Sequence, residues 1–359
     1  MDGAGALEHL RHRARRGRPR SGDGRCLPGE RRRGAGLGPG GRRRLPGRGR
    51  AQAPGARPYR PRPRARPRRP CGGGTRVSVP SLPRLCDDVR WSVAVRDADD
   101  DRPLASHDAD LVLPTASIGK LVLLVEAAHQ IATGTLDPSE PLSRTEEDWV
   151  ADSGLWHALR TDTLPVADAC ALVGAVSDNL ATNVLLRRLG LEAVTVTATR
   201  IGMERSRLLD RVRDDRGPGH PPTLSVGCAA DLAHFCARLH RREILSAGIS
   251  ETVSSWLARN TDLSMVAGAF GLDPLAHTEP DRGMVVWNKT GTIETVRADV
   301  GVVSGPARTL AYAVIAAWDE PSAGTAGDPR DEVLSDMRAV GHWLRSLAQP
   351  DDRAARLAQ

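Results

Sequence analysis

The chain has 359 residues, 40% of them hydrophobic, and 51 basic residues against 44 acidic ones give a formal net charge of +7. That length allows one large domain or two ordinary ones, and the lack of any apolar run of membrane-span length excludes a helical membrane-spanning protein. Six cysteines (Cys26, Cys71, Cys86, Cys170, Cys228 and Cys236) form no CxxC pair and no cluster with histidine, which argues against a structural zinc site.

The charge is unevenly placed. Residues 1–80 hold 23 Arg and 4 acidic residues, a net of +19, which leaves −12 for the rest. Stretches such as "RRRGAGLGPGGRRRLPGRGR" have few apolar residues and no helical or strand period. They cannot bury enough surface to offset the entropy of ordering, so residues 1–80 are expected to be a disordered tail. An arginine-rich tail could bind nucleic acid or an anionic surface. A solvated extension, or translation from an upstream start codon, is favoured over nucleic-acid binding. Tyr59 is its only aromatic residue, and base stacking would want more.

Residues 84–348 read as one globular unit, followed by a flexible C-terminus over 349–359. "RWSVAVRD" places Trp91, Val93 and Val95 on one face, a strand signal, and "DDRP" over 100–103 makes a turn. "GKLVLLVEAAHQIATG" is apolar nearly all round and stops at Gly134, which describes a buried central helix. "LPVADACALVGAV", with Pro165 near its first turn, "NLATNVLLRRLG", ending at Gly190, and "AADLAHFCARLHRREI" are further helices. Cys170, Cys228 and Cys236 lie in these apolar patterns and are expected to be buried free thiols.

Strands return late as "MVVWNKTGTI", "ADVGVVSG" and "TLAYAVIAAW", separated by short turns that predict an antiparallel meander. A final helix is expected from Asp328 as N-cap and Pro329 at N1, with Leu334, Met337, Val340, Leu344 and Leu347 as its apolar stripe. The fold class is therefore α+β: an antiparallel sheet of about five strands built from both chain ends and flanked by helices, with an all-helical lobe between. A cleft should lie between sheet and lobe.

Lysine is nearly absent: only Lys120 and Lys289 interrupt 49 arginines. Lys120 stands three residues after Ser117, and in a helix starting near Ser117 those positions share a face. A serine hydroxyl needs a neighbouring base to become a nucleophile. Arginine cannot be that base, whereas lysine can once burial and nearby positive charge lower its pKa. The start of a helix also favours a developing alkoxide. SxxK alone is a weak motif, but "SDN" follows at Ser177, Asp178 and Asn179, and "KTG" at Lys289, Thr290 and Gly291.

The ordered trio SxxK, SDN and KTG resembles class A β-lactamases and penicillin-binding proteins, a signature already known for those families. The 60 positions from Ser117 to Ser177 are similar to class A spacing, and the resemblance covers roughly residues 84–348. It implies a β-lactamase/transpeptidase-like fold and a serine hydrolase that opens β-lactam amides through a Ser117 acyl-enzyme. Lys120 would help deprotonate Ser117, and Ser177 would relay a proton to the leaving nitrogen. Asn179 would hold the substrate side chain or Lys120, while Lys289, Thr290 and Gly291 would form the carboxylate-binding strand. The N–H groups of Ser117 and Thr292 would form the oxyanion hole. Arg297 is either an extra cation beside the carboxylate pocket or a surface strand residue. Asp178 reads as structural, Trp156 as cleft wall or core, and His157 as non-catalytic.

Two departures from the family pattern stand out. The loop glutamate that positions the deacylating water aligns with Arg213 in "LLDRVRDDRGPGHPP", and arginine cannot act as a general base. Cys170 occupies one half of the family's frequent disulfide, but its mate falls on Leu124. The resemblance further implies no metal or organic cofactor, a small-molecule substrate (a β-lactam or a D-Ala-D-Ala-like peptide) and a monomer. No apolar run of signal-peptide length precedes residue 80, so the chain as written reads as cytoplasmic, with export the family's usual alternative. A D-alanyl-D-alanine peptidase or esterase and a slowly deacylating penicillin-binding protein are the alternative functions.

Overall fold

A computed structural model describes residues 81–151, 153–319 and 328–349. The expected tail over 1–80 lies outside the described residues, as does all but the first position of the expected C-terminal segment 349–359.

In chain order the elements are β1 (Arg90–Asp97), β2 (Pro103–His107), β3 (Leu113–Pro114), α1 (Lys120–Thr133), β4 (Pro141–Ser143), β5 (Thr163–Pro165), α2 (Val166–Val176), α3 (Asn179–Leu189) and α4 (Leu191–Arg200). They continue as β6 (Arg207–Leu208), β7 (Ser225–Gly227), α5 (Ala229–His240), α6 (Ala247–Leu257), β8 (Val285–Ile293), β9 (Val296–Ser304), β10 (Thr309–Ala317) and α7 (Arg330–Ala348). The principal sheet has the order β2-β1-β10-β9-β8, with antiparallel pairing throughout. The α+β architecture is thus as the sequence implied, the first and last thirds of the described chain supplying one five-stranded sheet. Four of its strands were located in the sequence; the fifth of the expected count is β2, at the end of the DDRP turn. It is a short, largely exposed edge strand that begins at Pro103, a residue tolerated at a strand's first position.

The sheet is buried on both faces, and the period of two sorts its side chains between two cores. Along β10, Leu310, Tyr312, Val314 and Ala316 join Trp91, Val93 and Val95 of β1 in a core closed by α7. Ala311, Ala313, Ile315 and Ala317 face the opposite core, shared with α1 and the helical lobe. Helix α1 runs through that second core. Lys120 and every residue to Ala128 are buried, and Gly134 at φ 76° ends the helix in the left-handed region. A fully buried leucine such as Leu123 or Leu124 stabilises the fold by about 2 kcal/mol.

Two helices escaped the sequence reading. In α4, the β-branched Val194, Thr195, Val196, Thr197 and Thr199 oppose helix by propensity, yet Val194, Thr197 and Ala198 bury at spacings of three and four, and packing wins. Helix α6 is capped by Ser246, whose Oγ accepts the N–H of Ile249. The last helix starts one residue later than expected: Pro329 is the cap, and Asp328 Oδ1 accepts the N–H of Arg330. Its buried stripe runs through Val333, Met337, Val340, Leu344 and Ala348, with Leu334 and Leu347 half-buried at its margins. No helix among the described residues is long and apolar enough to cross a membrane.

Candidate active site

The sequence around residue 117 makes a tight entry to α1. Ala116–Gly119 form a single 3-10 turn, and Ala116 holds φ 48°, a strained value for a residue with a side chain. The turn is pinned from β7. Ser225 Oγ lies 2.7 Å from Thr115 Oγ1 and donates to Ala116 O at 2.6 Å, and Thr115 N–H donates to Ser225 O. Two glycines allow this crowding. A Cβ on Gly119 would stand 2.5 Å from Ser225 Cβ, and one on Gly291 would stand 2.3 Å from Thr115 O and 3.3 Å from Ser117 N. Gly291 therefore lets β8 lie against the backbone of Ser117.

Lys120, the first residue of α1, is fully buried, and its Nζ donates to Ser177 O (2.7 Å), Ser177 Oγ (3.3 Å) and Asn179 Oδ1 (2.6 Å). Ser177 ends α2 at φ 56°, which turns its hydroxyl toward both lysines. Lys289, fully buried on β8, donates to that same Oγ at 2.9 Å and to Thr290 O at 2.7 Å. Burial lowers the Lys289 pKa to about 8, against the opposing pull of Asp262 and Asp299. Asp178 is the N-cap of α3. Its Oδ1 accepts the N–H of Ala181, and its Oδ2 accepts those of Leu155 and Trp156 at 2.7 and 2.8 Å. It thereby ties the 153–158 segment to the start of α3, the structural part the sequence reading gave it.

These residues border a cavity of about 1090 Å³ lined by Ser117, Ser177, Asn179, Thr290 and Thr292. Across it lies the loop between β6 and β7, which contributes Arg213, Asp214, Asp215 and Arg216. Leu209 N–H to Leu224 O closes the neck of this loop. Asn183 on α3 clamps Val212, accepting its N–H at 2.8 Å and donating to its carbonyl at 3.0 Å. Arg213 binds Asp210 through Nε (2.7 Å) and Nη2 (3.1 Å), and Arg216 Nη1 shares the same carboxylate at 2.8 Å. The hydrogen bonds of these guanidiniums outweigh burial and hold Asp210 below the usual carboxylate range. Asp214 accepts Ala151 N–H with both oxygens.

Arg297 is 8% exposed, not a surface strand residue, and it does not line this cavity. Its Nη1 donates to Ile293 O and Val296 O, and its guanidinium lies over Trp318 at 5.7 Å from the ring centroid. Trp156 is core: it is fully buried, and its indole N–H donates to Thr161 O. His157 is half-buried and does not line the cavity. Cys170 is a free buried thiol, pushed up to about 12 by burial.

Sequence reasoning missed Ser225, the clamp residue Asn183, and the 260–262 segment on the cavity wall. Behind that wall Asn260 donates to Asn288, Asn288 donates to Asp299, and Tyr312 also donates to Asp299. Burial raises the Asp299 pKa to about 6 despite these donors. None of these positions belongs to a short motif; polar residues inside apolar strands were a signal for Ser225, Asn288 and Asp299, and Asn183 and 260–262, on a helix and a loop, gave none. Among the described residues no group of three or more His, Cys, Asp or Glu is arranged to hold a metal ion.

A model of the beta-lactamase enzyme family matches residues 85–337. Among solved structures, the chain is similar to a β-lactamase from Sphaerobacter thermophilus, at 19% identity and a TM-score of 0.62 over 73% of this chain and 92% of that one. It is similar to an acyl-enzyme complex of a substituted PBP-A with penicillin G, at 21% identity and a TM-score of 0.60 over 74% and 92%. The ancestral (GNCA) class A β-lactamase aligns at 24% identity and a TM-score of 0.58 over 72% and 94%.

Proposed function

The chain belongs to the beta-lactamase enzyme family, and from that premise we propose that it is a serine hydrolase that opens β-lactam amides through an acyl-enzyme on Ser117. The observation that carries this reading is the convergence of Lys120 and Lys289 on one hydroxyl, Ser177 Oγ, beside the cavity that Ser117 lines.

Lys120 enters α1 three residues after Ser117 and, once it has given up a proton of its own, takes the proton of the Ser117 hydroxyl; its burial supports this role. Attack on the amide carbonyl puts negative charge on its oxygen, which the N–H groups of Ser117 and Thr292 receive. Losing one such donor costs on the order of 100-fold or more in rate. Ser177, bridged to both lysines, passes a proton to the departing nitrogen as the carbon–nitrogen bond breaks. Asn179 holds Lys120 in place through Oδ1. Lys289, with Thr290 and the close approach that Gly291 permits, receives the substrate carboxylate. Arg297, bonded to the β8–β9 turn, braces that strand and keeps positive charge behind it.

A second reading is favoured by the loop. Arg213, at the position of the family's loop glutamate, is held by Asp210. An arginine cannot activate water, and the nearest loop acid in sequence, Asp214, faces Ala151 N–H. On this reading the protein acylates quickly and deacylates slowly, acting as a penicillin-binding protein or on a D-Ala-D-Ala-like peptide. Intact-mass spectrometry over time after exposure to penicillin G tests both. An adduct on Ser117 is expected, and it should be absent in Ser117→Ala. An adduct that survives Ser117→Ala overturns the nucleophile assignment. Rapid loss of the adduct selects the turnover enzyme, and persistence selects the second reading.

A further inference from the structure

We infer that Arg213, backed by Arg216, is a specificity residue that selects acyl donors carrying a second carboxylate on the acyl side chain. The inference rests on Ser117 being the acylated residue. Two guanidiniums share the single carboxylate of Asp210, so neither is fully occupied by that ion pair, while Asp214 and Asp215 of the same loop also line the cavity. Arg213 uses Nε and Nη2 on Asp210, and its Nη1 has no acceptor among the described residues. Arg216 spends its Nη groups on Asp210, Pro221 O and Arg211 O, which leaves Nε without one.

Acids also border the cavity, so the sign of its field has to be weighed. Asp214 and Asp262 keep their negative charge while accepting neutral donors, Ala151 N–H and the N–H and hydroxyl of Ser264, so the weighing turns on exposure and on directed donors. Asp214, Asp215 and Glu294 are exposed, where water and salt screen them. The Arg213 and Arg216 side chains are only 22% and 20% exposed, so their charge acts through a less screened medium. A free guanidinium N–H aimed at an anion is among the stronger directed contacts available. A substrate whose ring carboxylate lies against β8 and whose carbonyl meets Ser117 has its acyl side chain left for the rest of the cavity, where the loop supplies these cations.

Three penicillins on one scaffold test this: benzylpenicillin, its α-carboxy derivative and its α-amino derivative. Second-order acylation constants are measured by intact mass on the full chain, each normalised to the compound's hydrolysis by hydroxide. The α-carboxy compound should acylate on the order of tenfold faster than benzylpenicillin, and the α-amino compound slowest. Arg213→Met should compress the three to within about twofold, and raising the salt concentration on the unaltered protein should narrow the spread as well. Equal constants in the unaltered protein, or a spread insensitive to both salt and Arg213→Met, overturn the inference while leaving Ser117 acylation standing. Labelling by none of the three overturns both.

Discussion

The two walls of the cavity are built on different principles. On one side, α1, the α2–α3 junction and β8 present Lys120, Ser177 and Lys289 from regular elements, each side chain buried or half-buried and hydrogen-bonded to its neighbours. On the other, the 209–224 segment has no helix or strand of its own. It is held at its neck by Leu209–Leu224, at its middle by Asn183, and through one carboxylate, Asp210. The first wall is fixed by the same packing that makes the core. The second can exchange its chemistry without disturbing that core, and Arg213, which the sequence reading aligned with the family's loop glutamate, sits there.

Four experiments press on that contrast, from the largest effect down. Lys120→Arg keeps the charge of the packed wall but removes a base that can be deprotonated. Acylation by penicillin should fall by roughly 100-fold or more, measured by stopped-flow labelling. If the variant keeps its rate, Lys120 is not the base. Asp178→Ala leaves two buried backbone N–H groups and one part-buried one without their acceptor, so global stability should drop by about 3 kcal/mol in urea unfolding. A loss below about 1 kcal/mol would show the packed wall to be no less tolerant than the loop.

The third measurement is a pH profile. Lys289 is cationic only below about 8, so the second-order acylation constant, which reports the free protein, should fall about tenfold per unit as pH rises above 8. Lys289→Arg should move that break upward out of the window, because arginine stays charged. The linkage sign for stability is opposite. The folded pKa lies below the unfolded value of 10.5, so the unfolded chain binds more protons between pH 8 and 10.5, and this group's contribution to stability rises with pH across that interval. The smallest effect belongs to the loop. Arg213→Glu, which supplies a carboxylate at the position the sequence reading aligned with the family's glutamate, should shorten the lifetime of the penicillin adduct by on the order of tenfold. It should also lower stability by about 1–3 kcal/mol, since a mostly buried ion pair is lost and a second carboxylate faces Asp210, which keeps Arg216 as its partner. A lifetime that stays constant would mean that the wall as a whole, not this position, blocks deacylation.

Much of the packed wall was legible beforehand. The all-round apolar run after Lys120, its Gly134 stop, the Asp178 cap and the alternation of Trp91, Val93 and Val95 each follow from a period or a terminus that a short window contains. Helix α4 was not legible, because its β-branched residues speak against helix and only burial against α1 decides for it. Arg297 was equally undetermined. Its position on β9 is local, but whether the guanidinium meets water, the cavity or Trp318 depends on which groups the β8–β9 turn and the chain beyond β10 bring there.

By itself the sequence determined which chemical groups are available and which local elements carry them: a serine one turn before a lysine, a capped helix after "SDN", and a strand bearing a lysine and a glycine. The tertiary structure decided their meeting. Lys120 and Lys289 reach one hydroxyl from 57 and 112 positions away in the chain, and Gly291 and Gly119 make room for that approach. It also decided that Arg213 would turn to Asp210 and leave one nitrogen facing no protein acceptor among the described residues. Periodicity and capping act within a few residues, whereas the pairing of distant polar groups is set by how two buried faces close on each other.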